Sequence, residues 1–106
     1  MSKLFFDHLI NIEKLKAKLW EMELAEQELE LLEKEIDSLL QHRVVEVVLD
    51  LIDARHHETF VGLLHESPGD EKVLLWLKEI VEDVEERIEE EIGKVEEELL
   101  NEISNF

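Results

Sequence analysis

The sequence predicts an all-α fold, a compact bundle of about five helices that forms a single domain over residues 1–106. Three glycines and one proline leave little material for turns or loops. Apolar residues make up 44% of the chain and recur mostly every three or four positions, which is the helical period. The run VVEVVLDLI has the β-branched composition of a strand, but there is no second strand-like run to pair with it.

The first two helices are expected at about residues 3–20 and 23–52. The first has one broad apolar face, formed by Phe5, Leu9, Ile12, Leu15, Leu19 and Trp20. We expect Trp20, like Trp76 further along, to pack in the core, with an interface anchor as the alternative. The second helix begins with heptad spacing at Ala25, Leu29, Leu32, Ile36 and Leu39. Arg43 interrupts this stripe, which resumes in the VVEVVLDLI run, the segment we interpret as the most buried helical stretch.

The next two helices are expected at about residues 54–65 and 68–80. They meet within DARHHETFVGLLHESPGDEK, residues 53–72. We interpret the interval 62–69 as a hinge between helices. Ser67 is expected to be the N-cap of the following helix, with Pro68 at the first helical position and Asp70 three residues after the cap.

The last helix is expected at about residues 83–103. Its apolar stripe is Val81, Val84, Ile88, Ile92, Val95, Leu99 and Ile103. One unbroken helix over 70–103 would extend about 51 Å, whereas a compact domain of this length has a diameter of roughly 33 Å. We therefore expect a helical break between Ile80 and Asp83. Homodimerisation through the last helix is the alternative.

The segments LLQHRVVEVVLDLI and FVGLLHESPGDEKVLLWLKEIVEDVEERIEEEI together resemble a family of small, acidic, all-helical bacterial proteins of unknown function, associated with candidate-phylum genomes. The resemblance covers about residues 24–100 and rests on the pattern of apolar and acidic positions. Members often have a proline after WLKEI, where this chain has Glu82. The resemblance implies no functional residues.

The net charge of −18 restricts the partners. Such a surface repels nucleic acid and anionic lipid, so we expect neither direct nucleic-acid binding nor membrane binding, but a protein partner with a basic or apolar surface. Asp7 and His8 interrupt the apolar core that a signal peptide needs, so a cytoplasmic location is expected. Residues 79–102 carry a net charge of −10. At one charge per about 3.6 Å they approach the roughly 3.4 Å phosphate spacing of a nucleic-acid strand.

Reactive groups are sparse in the sequence. There is no cysteine, which excludes thiolate nucleophiles and cysteine zinc sites. His56, His57 and His65 lack the H-E-x-x-H and E-x-x-H spacings of helical metal sites. We expect His56 and His57 on a polar helix surface and His65 in the last turn of a helix, where a cation favours the helix dipole. We assign no catalytic, cofactor-binding or metal-binding residue. The sequence therefore favours a non-catalytic helical interaction module, an adaptor or small assembly subunit. The alternatives are an acidic nucleic-acid mimic and, third, a metal-dependent helical bundle.

Overall fold

The computed structural model of the chain describes residues 4–67 and 69–104. It confirms the all-α bundle, and the described residues contain no β-strand. A short 3-10 turn at Asp7–Leu9 precedes five helices. These are α1 (Glu13–Glu21), α2 (Glu26–Leu51), α3 (Ala54–Glu66), α4 (Glu71–Ile80) and α5 (Val84–Ser104).

The two long helices, α2 and α5, form the central pair of the bundle. They are antiparallel, because Arg43 lies beside Glu98 while Leu51, further along α2, shares a depression with Arg87 near the start of α5. The N-terminal segment and α1 run along α5 in the same direction as α5. Helix α3 packs against α4, and α4 packs against α5. The radius of gyration is 15.0 Å, and the molecule measures 45 × 23 × 19 Å.

The core runs between the two long helices and receives buried side chains from all five helices, while Leu9 of the 3-10 turn packs against it half-buried. Helix α2 buries one residue in every four from Ile36 to Val48. The run at 44–52 contributes three buried residues, Val44, Val48 and Ile52, whereas the nine residues 88–96 of α5 contribute four, so the expectation that 44–52 is the most buried helical stretch is not met. The largest side chains that are almost fully buried are Phe5, Phe6, Phe60, Leu15, Leu40, Leu77, Ile88 and Ile92.

The predicted helical break is confirmed, since α4 ends at Ile80 and α5 begins at Val84. The break lets the last apolar stripe fold back onto the core instead of overhanging. Ile92 and Val95 are buried, and Leu99 and Ile103 are half-buried against the same core. Ile92 and Val95 are therefore covered within one chain, and the last two residues of the stripe are partly covered.

The predicted first helix, 3–20, is wrong in its first half. That half is a turn followed by extended residues, and α1 begins only at Glu13. Leu4, Phe5 and Phe6 are consecutive and all buried. Successive residues on a helix point 100° apart, so three in a row cannot all face one core. The turn allows it, and the Phe5 ring packs edge-on against Phe6 at 5.0 Å and against Phe60 at 6.2 Å.

The predicted start of α4 is also wrong. Asp70, not Ser67, is the N-cap, and its carboxylate accepts a hydrogen bond of 2.9 Å from the Lys72 amide. Ser67 instead follows the last turn of α3 as its C-cap. Both residue types cap helices well. With Asp70 as the cap, two helical residues, Glu71 and Lys72, precede the buried Val73. Pro68 lies outside the described residues.

Candidate protein-binding site

The most exposed large apolar side chain among the described residues is Trp20, which keeps 85% of its surface accessible. The expectation that Trp20 packs in the core is therefore wrong, whereas Trp76 is half-buried against the core as expected. Helix α1 buries Leu15 and Leu19. Trp20 follows Leu19 by 100° around the helix, so its ring points off the core face.

Trp20 stands at the rim of an open depression between the end of α1 and the start of α2. We call this depression the Trp20 groove, and its volume is about 430 Å³. Its lining residues are Leu19, Trp20, Glu21, Glu23, Leu24 and Leu29. Leu19 is buried, and Leu24 and Leu29 are half-buried against the core. The groove thus has an apolar floor anchored in the core, and acidic residues stand with the tryptophan at its edge.

The turn that shapes the groove has a strained backbone. Glu23 has a φ of +50° and is the non-glycine residue with positive φ in the described chain. It directly follows the C-cap Met22, and its amide donates to the Trp20 carbonyl at 3.3 Å. This left-handed position after a helix normally carries glycine, because a Cβ disfavours the conformation. Met22, beside it, is 43% exposed.

The groove adjoins one of the two strongly acidic segments of the chain. Residues 21–37 contain eight acidic residues and one basic residue. Among the described residues, one of these carboxylates lies near a cation, Glu21, at 4.0 Å from Lys18. Glu26, Glu30 and Glu33 recur at intervals of four and three, share one face of α2, and are exposed. This negative charge has little compensation within the described chain.

Asp37, at the far end of this acidic segment, is a carboxyl group whose charged form is disfavoured first by burial and then by a neighbouring carboxylate. Its side chain is half-buried. Burial, and then the charge of Asp7, raise the pKa of Asp37 above its ordinary value. The carboxylate of Asp7 is fixed nearby, since it accepts a hydrogen bond from the Leu4 amide at 3.0 Å.

Many acidic residues in and near α5, unlike most of those at 21–37, contact a cation or an amide within the fold. Arg43 reaches from α2 to Glu98 at 2.6 Å and to Glu91 at 3.1 Å, and Lys78 of α4 lies 2.9 Å from Glu85. Six of the twelve acidic residues at 79–102 contact a cation or a backbone amide. They are Asp83, Glu85, Glu90, Glu91, Glu96 and Glu98. Four of these residues, Glu85, Glu91, Glu96 and Glu98, join α5 to other helices, whereas Asp83 and Glu90 contact Arg87 on α5 itself.

Glu96 is the one buried charged residue among those described. Its Oε2 accepts a hydrogen bond from the Leu15 amide at 3.3 Å. Leu15 lies in the first turn of α1, whose N-cap position holds Ile12 and offers no side-chain acceptor. Glu96 therefore supplies from α5 the acceptor that the sequence of α1 lacks. The spacing within either helix carries no signal for this contact.

The histidines do not assemble a site in the described structure. His65 is exposed in the last turn of α3, as expected. His56 and His57 differ from the expectation of a plain polar surface, since both are half-buried. His57 Nε2 lies 2.8 Å from the Leu49 carbonyl near the end of α2, and the His56 ring packs edge-on against Trp76. Residues 4–67 and 69–104 hold no group of three potential metal ligands.

Apart from Met22 in the turn after α1, the other exposed large apolar residues are spread over the surface of α2, α3 and α4. They are Leu31, Val61, Leu75 and Ile80. Single exposed aliphatic residues are common on soluble proteins. What distinguishes the Trp20 groove is a nearly free aromatic ring above an apolar floor.

Within the described part of the chain, no helix has the length and apolar composition needed to cross a membrane. Comparisons with protein-family models, with curated proteins and with solved structures gave no match to this chain.

Proposed function

We propose that this protein is a non-catalytic interaction module that binds another protein through the Trp20 groove. The observation that carries the proposal is the 85% exposure of Trp20 beside Leu24 and Leu29. Tryptophan is among the residues that contribute most to binding at protein interfaces. Burying 85% of such a side chain would contribute roughly 3–5 kcal/mol as an upper bound, before the entropic costs of association.

The use of the polar side chains supports a structural role without catalysis. The charged groups with the least exposure, Glu96, Glu91 and Arg43, hold helices together. The proposed setting is the cytoplasm, without a cofactor.

The nucleic-acid mimic has weaker support. A mimic needs regularly spaced, accessible charges, and the sequence offered one per about 3.6 Å along residues 79–102. Half of those carboxylates contact a cation or a backbone amide within the fold. Homodimerisation through α5 is similarly weakened, because Ile92 and Val95 already pack inside the chain. The metal-dependent bundle finds no supporting ligand group among the described residues.

Affinity capture from the native organism tests the proposal, with wild type and Trp20→Ala as baits. Leu75→Ala is the matched control, because Leu75 is 58% exposed and lies outside the groove. We expect a partner that is retained by wild type and Leu75→Ala and lost by Trp20→Ala, while all three melt at similar temperatures. The same set of partners on Trp20→Ala as on wild type would refute the proposal.

A further inference from the structure

We propose that the occupant of the Trp20 groove is a basic segment of the partner protein that inserts one large apolar side chain. The inference rests on the proposed function and names the chemistry of the partner. The groove supplies two kinds of contact, an apolar floor of Leu24 and Leu29 and a rim bearing Glu21 and Glu23.

The negative charge around the groove favours a positively charged partner. Glu26 and Glu33 lie three residues before and four residues after Leu29, so both are its neighbours on the surface of α2. Both are exposed, and neither has a cation within 4.0 Å among the described residues. Lysine or arginine side chains beside the inserted apolar group would reach these carboxylates and relieve their mutual repulsion. A second copy of this chain would bring further negative charge to the same place.

The contrast with α5 makes this assignment specific to the groove. There, half of the acidic residues at 79–102 already contact a cation or an amide of the chain itself, with Arg43 between Glu91 and Glu98. Beside the groove, Glu21 is the one carboxylate of residues 21–37 that lies near a cation in the described structure, at 4.0 Å from Lys18, so a basic partner meets mostly uncompensated charge there. The apolar floor then fixes where along the acidic surface the segment is held.

A peptide titration tests the inference on the full chain. The probe is a short synthetic peptide with several lysines and one central leucine. One control peptide has alanine in place of leucine, and the other has glutamate in place of every lysine. In a Trp76→Phe background the emission reports Trp20 alone. We expect the lysine–leucine peptide to shift this emission to shorter wavelength, and calorimetry on the unmodified chain to detect the same binding. The alanine peptide should bind less tightly, and the glutamate peptide should not bind.

Protein variants locate the binding. Trp20→Ala should raise the dissociation constant about tenfold or more, as truncation of an interface hot spot does. Glu26→Lys should raise the dissociation constant about fivefold at low salt, because the substitution replaces an attraction with a repulsion. Glu89→Lys makes the same charge change at an exposed position on α5 and should have a smaller effect.

Three results would overturn the inference. The first is the absence of binding at low salt in both fluorescence and calorimetry. The second is equal weakening by Glu26→Lys and Glu89→Lys with no effect of Trp20→Ala, which would mean charge-driven binding over the whole surface. The third is a Trp20-dependent dimer in light scattering, which would place a second copy in the groove. If the peptide fails while the native capture remains Trp20-dependent, the inference falls and the proposed function stands.

Discussion

Replacing Glu23 by glycine should stabilise the protein. Glu23 has a φ of +50° at the end of α1, a left-handed conformation that costs an L-residue about 1–2 kcal/mol. Glycine adopts it freely but loses about 0.5–1 kcal/mol of additional chain entropy on folding. The net gain should be about 0.5–1 kcal/mol in the free energy of unfolding. For a domain of this size that corresponds to a rise of roughly 2–8 °C in melting temperature.

Urea and thermal denaturation measure this gain, and Glu23→Ala is the matched control. Alanine removes the same carboxylate from an acidic surface but keeps the Cβ, so it should leave the stability within about 0.5 kcal/mol of wild type. If both variants gain equally, charge and not backbone strain is the cause. If glycine destabilises, the turn does not hold Glu23 in the left-handed region, and the shape of the groove described above is wrong.

The remaining predictions concern caps and titration. Asp70→Ala should lower the free energy of unfolding by about 1 kcal/mol, while Ser67→Ala should change it by less than about 0.5 kcal/mol; equal losses in urea denaturation would contradict the assignment of the cap. Asp37→Asn should stabilise the fold near neutral pH, because burial and the charge of Asp7 raise the pKa of Asp37 in the folded protein. Because the pKa is raised, ionised Asp37 opposes folding above that pKa. The stability advantage of asparagine should therefore shrink as the pH falls through the raised pKa and disappear below the ordinary pKa of aspartate. A pH-independent difference between the two proteins would contradict this. Glu96→Ala should lower the free energy of unfolding by about 1–3 kcal/mol, because the start of α1 loses a hydrogen-bond acceptor. Glu96→Gln should lower it less. Unchanged hydrogen exchange of the amides in the first turn of α1 would show that the contact is not made.

The helices could be predicted where their signals are local. The apolar stripes of α2 and α5 repeat over several turns, so their ends were predicted within a few residues. The break after Ile80 followed from length alone. The N-terminal turn could not be found this way, because the periodicity of Phe5, Leu9 and Ile12 fits a helix, whereas the buried Phe6 requires a departure from one. Contacts with residues distant in the sequence, and not the local apolar pattern, therefore determine the conformation of the N-terminal segment.

The candidate site was predicted only in outline. The sequence placed Trp20 on the apolar face of a longer helix, where a core position was the natural expectation. The signal for its exposure was present in the four-residue step from Leu15 to Leu19, which sets the buried face of a short α1 and leaves the next residue outside it. Once Trp20 is outside, the acidic residues that follow become the border of an apolar groove.

Arg43 shows why net charge alone could not identify the binding surface. In the sequence it was an interruption of a heptad stripe, whereas in the fold it holds two carboxylates of α5, Glu91 and Glu98, against α2. Glu91 is only 12% exposed as a result. Half of the carboxylates at 79–102 are therefore compensated within the fold, whereas at 21–37 Glu21 is the one carboxylate near a cation among the described residues. Uncompensated carboxylates occur on both segments, but those at the groove also border an exposed tryptophan and an apolar floor.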